Sequence, residues 1–128
     1  MKNFKAILLM MLTVFMGMAV QSCSNEDDAE FYTLRISITD KGNLPDQVYN
    51  AYENAFSSNQ KLNYTSLSDA KTYLKNLVYA NKSEIEQGLR TDNNIYNFTL
   101  SYLLINSKGE QVYKISYKIE GTKATIVE

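Results

Sequence analysis

Three separated stretches of this chain alternate between apolar and polar residues, and that period of two is the strongest constraint on its fold. Tyr32, Leu34, Ile36 and Ile38 are interleaved with Thr33, Arg35, Ser37 and Thr39. Tyr96, Phe98, Leu100, Tyr102 and Leu104 alternate with Asn97, Thr99, Ser101 and Leu103, and Tyr113, Ile115, Tyr117 and Ile119 with Lys114, Ser116 and Lys118. Successive side chains of a strand point to opposite faces, so each stretch predicts a half-buried strand rather than an amphipathic helix. The turn residues Asn106-Ser107-Lys108-Gly109 join the last two into a hairpin. Closing it on those four residues sets Tyr102 opposite Tyr113, Leu100 opposite Ile115, Phe98 opposite Tyr117 and Tyr96 opposite Ile119. A slip of one residue would set apolar against polar. Glu120-Gly121-Thr122-Lys123 turns the chain once more, after which Ala124 and Ile126 share a face.

Between the first strand and the hairpin the period lengthens. Asn43 and Pro45 mark a helix start, because proline is tolerated where the first-turn N–H has no partner. Leu44, Val48, Ala51, Tyr52 and Ala55 then recur at helical spacing as far as about Phe56. Residues 57 to 65 are polar and read as a loop. Ser66 followed by Asp69 resembles a capping box, and Ala70, Tyr73, Leu74, Leu77 and Val78 mark a second helix. That helix is expected to bend near Asn81, where Ser83 offers a new cap, and to carry Ile85 and Leu89 toward Gly88. The expected fold is α+β: a four-stranded antiparallel sheet, ordered strand, helix, helix, three-strand meander, with both helices on one face. Residues 31–128 suffice for one such domain with its own core.

The segment before residue 31 has a different character. Lys2 and Lys5 precede an uncharged run from Ala6 to Val20, and all five Met lie before residue 20 while all ten Tyr lie after residue 30. This is the order of a secretory signal, and the run is short for a spanning helix. It ends in Val20-Gln21-Ser22-Cys23, followed by the acidic stretch Ser24-Asn25-Glu26-Asp27-Asp28-Ala29-Glu30. Residues 1 to 30 resemble the front end of a Bacteroidetes-type bacterial lipoprotein. The resemblance implies a signal peptide over 1–22, cleavage before Cys23, acylation of Cys23, and an acidic tether over 23–30 directing the protein to the outer face of the outer membrane. Two or more acyl chains make a lasting anchor. Lys2 and Lys5 leave with the signal, so thirteen basic residues become eleven against fourteen acidic, a net charge of −3 that argues against nucleic acid as a partner.

Chemistry has few residues to work with. The chain has no His and no Trp, and Cys23 is its sole cysteine. Ser58 with Lys61, and Ser68 with Lys71, fit S-x-x-K, but the companion motifs of the serine enzymes that use it are absent. Asp92-Asn93-Asn94 begins like a calcium loop, yet Tyr96 and Asn97 fall where an oxygen ligand and a glycine are required. No catalytic residue, metal site or cofactor is expected, and the protein is read as a non-enzyme.

Two groups of residues are binding candidates. Arg35, Thr99, Ser101, Lys114 and Lys118 fall on the polar side of the strands, where charge-assisted bonds would suit an anionic glycan or a carboxylate. The same residues are ordinary occupants of a solvated sheet face. Tyr49 and Tyr79 lie off their helix stripes and are expected to be exposed. The sequence therefore supports a lipid-anchored surface module contacting a glycan or an envelope protein. The alternative is an inhibitor of a hydrolase, cystatin-like or β-lactamase-inhibitor-like by fold analogy, although Gln111-Val112 lacks the rest of the cystatin Q-x-V-x-G wedge.

Overall fold

The computed structural model describes residues 31–56 and 59–128. The chain forms β1 (Tyr32–Asp40), α1 (Asp46–Ala55), β2 (Gln60–Leu62), α2 (Leu67–Ala80), α3 (Lys82–Thr91), β3 (Asn97–Asn106), β4 (Gln111–Glu120) and β5 (Lys123–Val127). It is an α+β fold with an all-antiparallel sheet in the order β2-β1-β3-β4-β5. Tyr32, Leu34, Ile36 and Ile38 of β1, Phe98, Leu100, Tyr102 and Leu104 of β3, and Ile115, Tyr117 and Ile119 of β4 form one buried face. Tyr52 and Phe56 of α1 and its end, Ala70, Leu74 and Val78 of α2, and Ile85 and Leu89 of α3 complete the same core.

Four details differ from the sequence expectation. The polar stretch after α1 contains a fifth strand, β2, whose Leu62 is buried opposite Tyr32. The helical region is two separate helices, and Asn81 both ends α2 and opens α3, its side chain donating to the Leu77 carbonyl at 2.8 Å. Ser83 therefore lies inside α3, and α3 runs on to Thr91. Asn43 does not cap α1. Its Oδ1 accepts from the Asn97 N–H at 2.6 Å and its own N–H donates to the Asn97 carbonyl, tying the β1–α1 loop to the start of β3. Ser66 caps α2 as its sequence implies, accepting from the Asp69 N–H.

The hairpin keeps the expected faces but slides by two residues. Phe98 pairs with Ile119, Leu100 with Tyr117, Tyr102 with Ile115 and Leu104 with Tyr113, while Ile105 pairs with Gln111. One residue of the shift arises at the turn, where the Asn106 N–H donates to the Glu110 carbonyl and Asn106 Oδ1 accepts from the N–H groups of Lys108 and Glu110. The other arises from Val112, the extra residue of a bulge. Either step alone would reverse the faces; together they restore them.

At the far end of the sheet, Gly42 adopts φ +56 with its α-carbon against the Asn97 carbonyl, which leaves no room for a Cβ. α3 ends with Asn93 in the left-handed region, the Asn94 N–H bonding the Leu89 carbonyl and the Asn93 N–H bonding the Arg90 carbonyl. The residues that begin like a calcium loop are thus a helix cap, with Asn in the position glycine usually takes. Asn94 Nδ2 donates onward to the carbonyls of Tyr96 and Gly121.

Candidate functional site

All the described helices lie against one face of the sheet, which leaves the other open among the described residues. Across this open face the strand registers line up side chains in rows. One row is Arg35, Leu103 and Lys114, another Ser37, Ser101, Ser116 and Val127, and a third Thr99, Lys118 and Thr125. Neighbouring strands lie about 4.8 Å apart, so the backbones of Arg35 and Lys114 stand about 10 Å apart astride Leu103.

The five polar candidates do not behave alike. Arg35 is exposed, its Nε donating to Asn59 Oδ1 at 3.4 Å. Lys114 is exposed as well. Lys118 is exposed but approaches Glu120 at 4.0 Å, and Thr99 beside it is half-buried. Ser101 is fully buried, its hydroxyl bonding those of Thr39 and Ser116 at 2.7 Å each, so this chain of hydroxyls crosses three strands and is satisfied internally. Ser101 supports the face rather than presenting a group to a ligand. Among the aromatic candidates, Tyr79 is 53 % exposed. Tyr49 is half-buried, packed against the core, with Lys41 Nζ 5.7 Å from its ring centre.

Leu103 and Ile105 are the residues this face adds. They lie outside the main core cluster, on the helix-free side, yet are 7 % and 9 % exposed. The signal was present in the unbroken apolar run Tyr102-Leu103-Leu104-Ile105, which departs from alternation as a central strand does. In the register the long aliphatic stems of Arg35 and Lys114 flank Leu103, so their charged heads rise over an apolar floor.

The sheet edges carry a second pattern. On α1, Glu53 Oε2 accepts from the Ile38 N–H of β1 at 2.7 Å. On α3, Glu86 Oε2 accepts from the Ala124 N–H of β5 at 2.8 Å and pairs with Lys82 at 3.2 Å. The Ala124 bond, reinforced by Lys82 and Arg90, holds the Glu86 carboxyl below the usual carboxylate range. Beside α2, Tyr113 donates to Glu128, and Lys71 Nζ lies 5.2 Å from the Tyr113 ring centre. Burial together with the Glu128 carboxylate raises the Tyr113 phenol to about 12. Ser68 is exposed on α2 one turn before Lys71; Ser58, Cys23 and the whole signal and tether lie outside the described residues.

Among the described residues no group of three His, Cys, Asp or Glu side chains is placed to hold a metal ion, and no helix is long and apolar enough to cross a membrane. Comparisons with protein-family models, curated proteins and solved structures find no match.

Proposed function

We propose that this protein is a lipid-anchored module of the cell envelope whose open sheet face binds an acidic glycan. The observation that carries the reading is the row formed by Arg35, Leu103 and Lys114: two exposed cations separated by an apolar side chain. A sugar carboxylate suits the guanidinium, which offers two parallel donors, and the carbon face of a sugar ring suits the apolar floor between the charges. Thr33 and Thr99 lie on the same face with hydroxyls for the ring substituents. Attachment rests on Val20-Gln21-Ser22-Cys23, through which acyl chains would fix the domain to the outer membrane while the acidic tether holds it away from the bilayer. No catalytic step and no cofactor enter this function.

The test is a glycan array probed with the acylated protein, combined with protease shaving of intact cells. The proposal expects retention on acidic glycans, little on neutral ones, and removal of the domain by external protease. Capture of an envelope protein without glycan binding would replace the ligand class, and a protease-protected domain would place it on the other side of the membrane. Cys23→Ala should abolish acyl labelling and release the protein from the membrane fraction; unchanged labelling would refute the anchor.

A further inference from the structure

β5 is an edge strand, and its outer side faces a groove of about 690 Å³ shared with α3 and the end of α2. Because the Ala124 N–H leaves the sheet to meet Glu86, the antiparallel alternation turns the N–H and C=O groups of Ala124 and Ile126 outward. Lys123, Thr125 and Val127 pair inward with β4. The opposite flank of the sheet is managed differently: β1 is covered by β2, a strand of three residues, and by Glu53. On the β5 side a five-residue strand borders a groove with a helix as its far wall.

The wall carries a net positive charge. Lys82, Glu86 and Arg90 stand four residues apart on one stripe of α3, and Lys82, Glu86, Arg90 and the exposed Tyr79 all line the groove with Lys123. On α3 two cations, Lys82 and Arg90, thus flank a single carboxylate, while Lys123 lines the groove from β5. An extended chain laid antiparallel to β5 would form three backbone bonds with Glu86 in place: two with Ile126 and one to the Ala124 carbonyl. The position of its remaining carbonyl, opposite the Ala124 N–H, is where Glu86 Oε2 now sits. The side chains of its residues opposite Ala124 and Ile126 would point toward α3, because directly paired residues share a sheet face. Those two positions, separated by one residue, face the wall that carries Lys82 and Arg90.

We propose that this groove captures an extended acidic segment of a partner protein as a sixth strand, with acidic side chains at alternate positions and Glu86 acting as the placeholder the segment displaces. This binding mode is separate from the open face: it uses the sheet edge and takes a peptide.

The test uses the full chain in detergent micelles and the fluorescent peptide acetyl-(Val-Glu)4-amide, read by anisotropy and by amide chemical shifts. Shifts are expected on Ala124 and Ile126, with slowed exchange of the Ile126 amide. N-methylation of the Glu residues, whose N–H groups would face β5, should weaken binding by about tenfold or more, whereas N-methylation of the Val residues should leave it largely intact. Glu86→Gln should tighten binding by about threefold, and combined Lys82→Gln and Arg90→Gln should weaken it by about tenfold. Equal effects of the two methylation patterns, equal binding of acetyl-(Val-Lys)4-amide, or absence of binding to both the unaltered protein and Glu86→Gln would overturn the proposal. So would a Glu86→Gln dimer paired through β5 that the peptide does not dissociate, since the occupant would then be a second copy of this chain.

Discussion

Two buried tyrosines give the sharpest test of how this core is held, because their hydroxyls are in opposite situations. Tyr102 and Tyr117 are both fully buried, with rings edge to face at 5.7 Å. The Tyr117 hydroxyl donates to the Val78 carbonyl at 2.5 Å, one of the last four carbonyls of α2, which lack partners within their own helix. The Tyr102 hydroxyl has no hydrogen-bond partner among the described residues. A buried polar group without a partner costs about 1–3 kcal/mol, whereas a made hydrogen bond contributes about 0.5–1.5 kcal/mol. Replacing tyrosine by phenylalanine keeps the ring and its packing, so each substitution isolates the hydroxyl. Tyr102→Phe should therefore stabilise the domain by about 1 kcal/mol. Tyr117→Phe should destabilise it by about 1–2 kcal/mol, since it also strands the Val78 carbonyl. In a domain of about 100 residues each kcal/mol moves Tm by about 4–8 °C, well within the resolution of calorimetry or urea unfolding. If Tyr102→Phe lowers stability by as much as Tyr117→Phe, the Tyr102 hydroxyl is hydrogen-bonded in solution and its burial carries no penalty.

The same burial sets a pH dependence. Desolvation raises the phenols of Tyr52, Tyr102 and Tyr117 well above their ordinary 10.0, so the stability tied to their neutral forms is complete below pH 10 and is lost as pH rises beyond it. An alkaline absorbance titration should show these three ionising only as the protein unfolds; reversible ionisation in the folded state would contradict this. Glu86 has the opposite sign, since its carboxyl is held below 4.5: its contribution is present above that pH and lost as acid protonates it. Glu86→Gln should flatten the acid limb of the stability curve measured by urea unfolding between pH 6 and 3, and an unchanged limb would count against the edge bond. Gly42→Ala must force a Cβ into the Asn97 carbonyl at a positive φ, and should cost about 2 kcal/mol or more; a loss below about 0.5 kcal/mol would show that the loop relaxes freely.

What the sequence disclosed and what it withheld have physical causes. The faces of β1, β3 and β4 were legible because a period of two cannot be satisfied by another element, and Ser66 with Asp69 marked the start of α2 for a similarly local reason. β2 was not legible: Gln60-Lys61-Leu62 carries one apolar side chain, and it becomes a strand only because β1 offers an edge to pair with. The two-residue slide of the hairpin depends on Val112 bulging, which the alternation permits but does not require. Within the candidate site, the exposure of Arg35 and Lys114 followed from alternation alone. The burial of Ser101 followed from neighbours on two other strands, Thr39 and Ser116, and no local pattern encodes that. Glu53 and Glu86 were likewise unreadable as edge guards, since each acts on a strand far away in the chain.

Binding at the open face is read out by retention on an immobilised acidic oligosaccharide. The unaltered protein and the combined Arg35→Gln and Lys114→Gln variant would be compared at matched salt. Both residues are exposed on the face away from the helices, so the variant should remain folded and unfold at nearly the same urea concentration. Retention should fall by about tenfold or more, because two charge-assisted contacts are lost together. Equal retention of the two proteins, or no retention of either, would contradict the claim that Arg35 and Lys114 form the binding row.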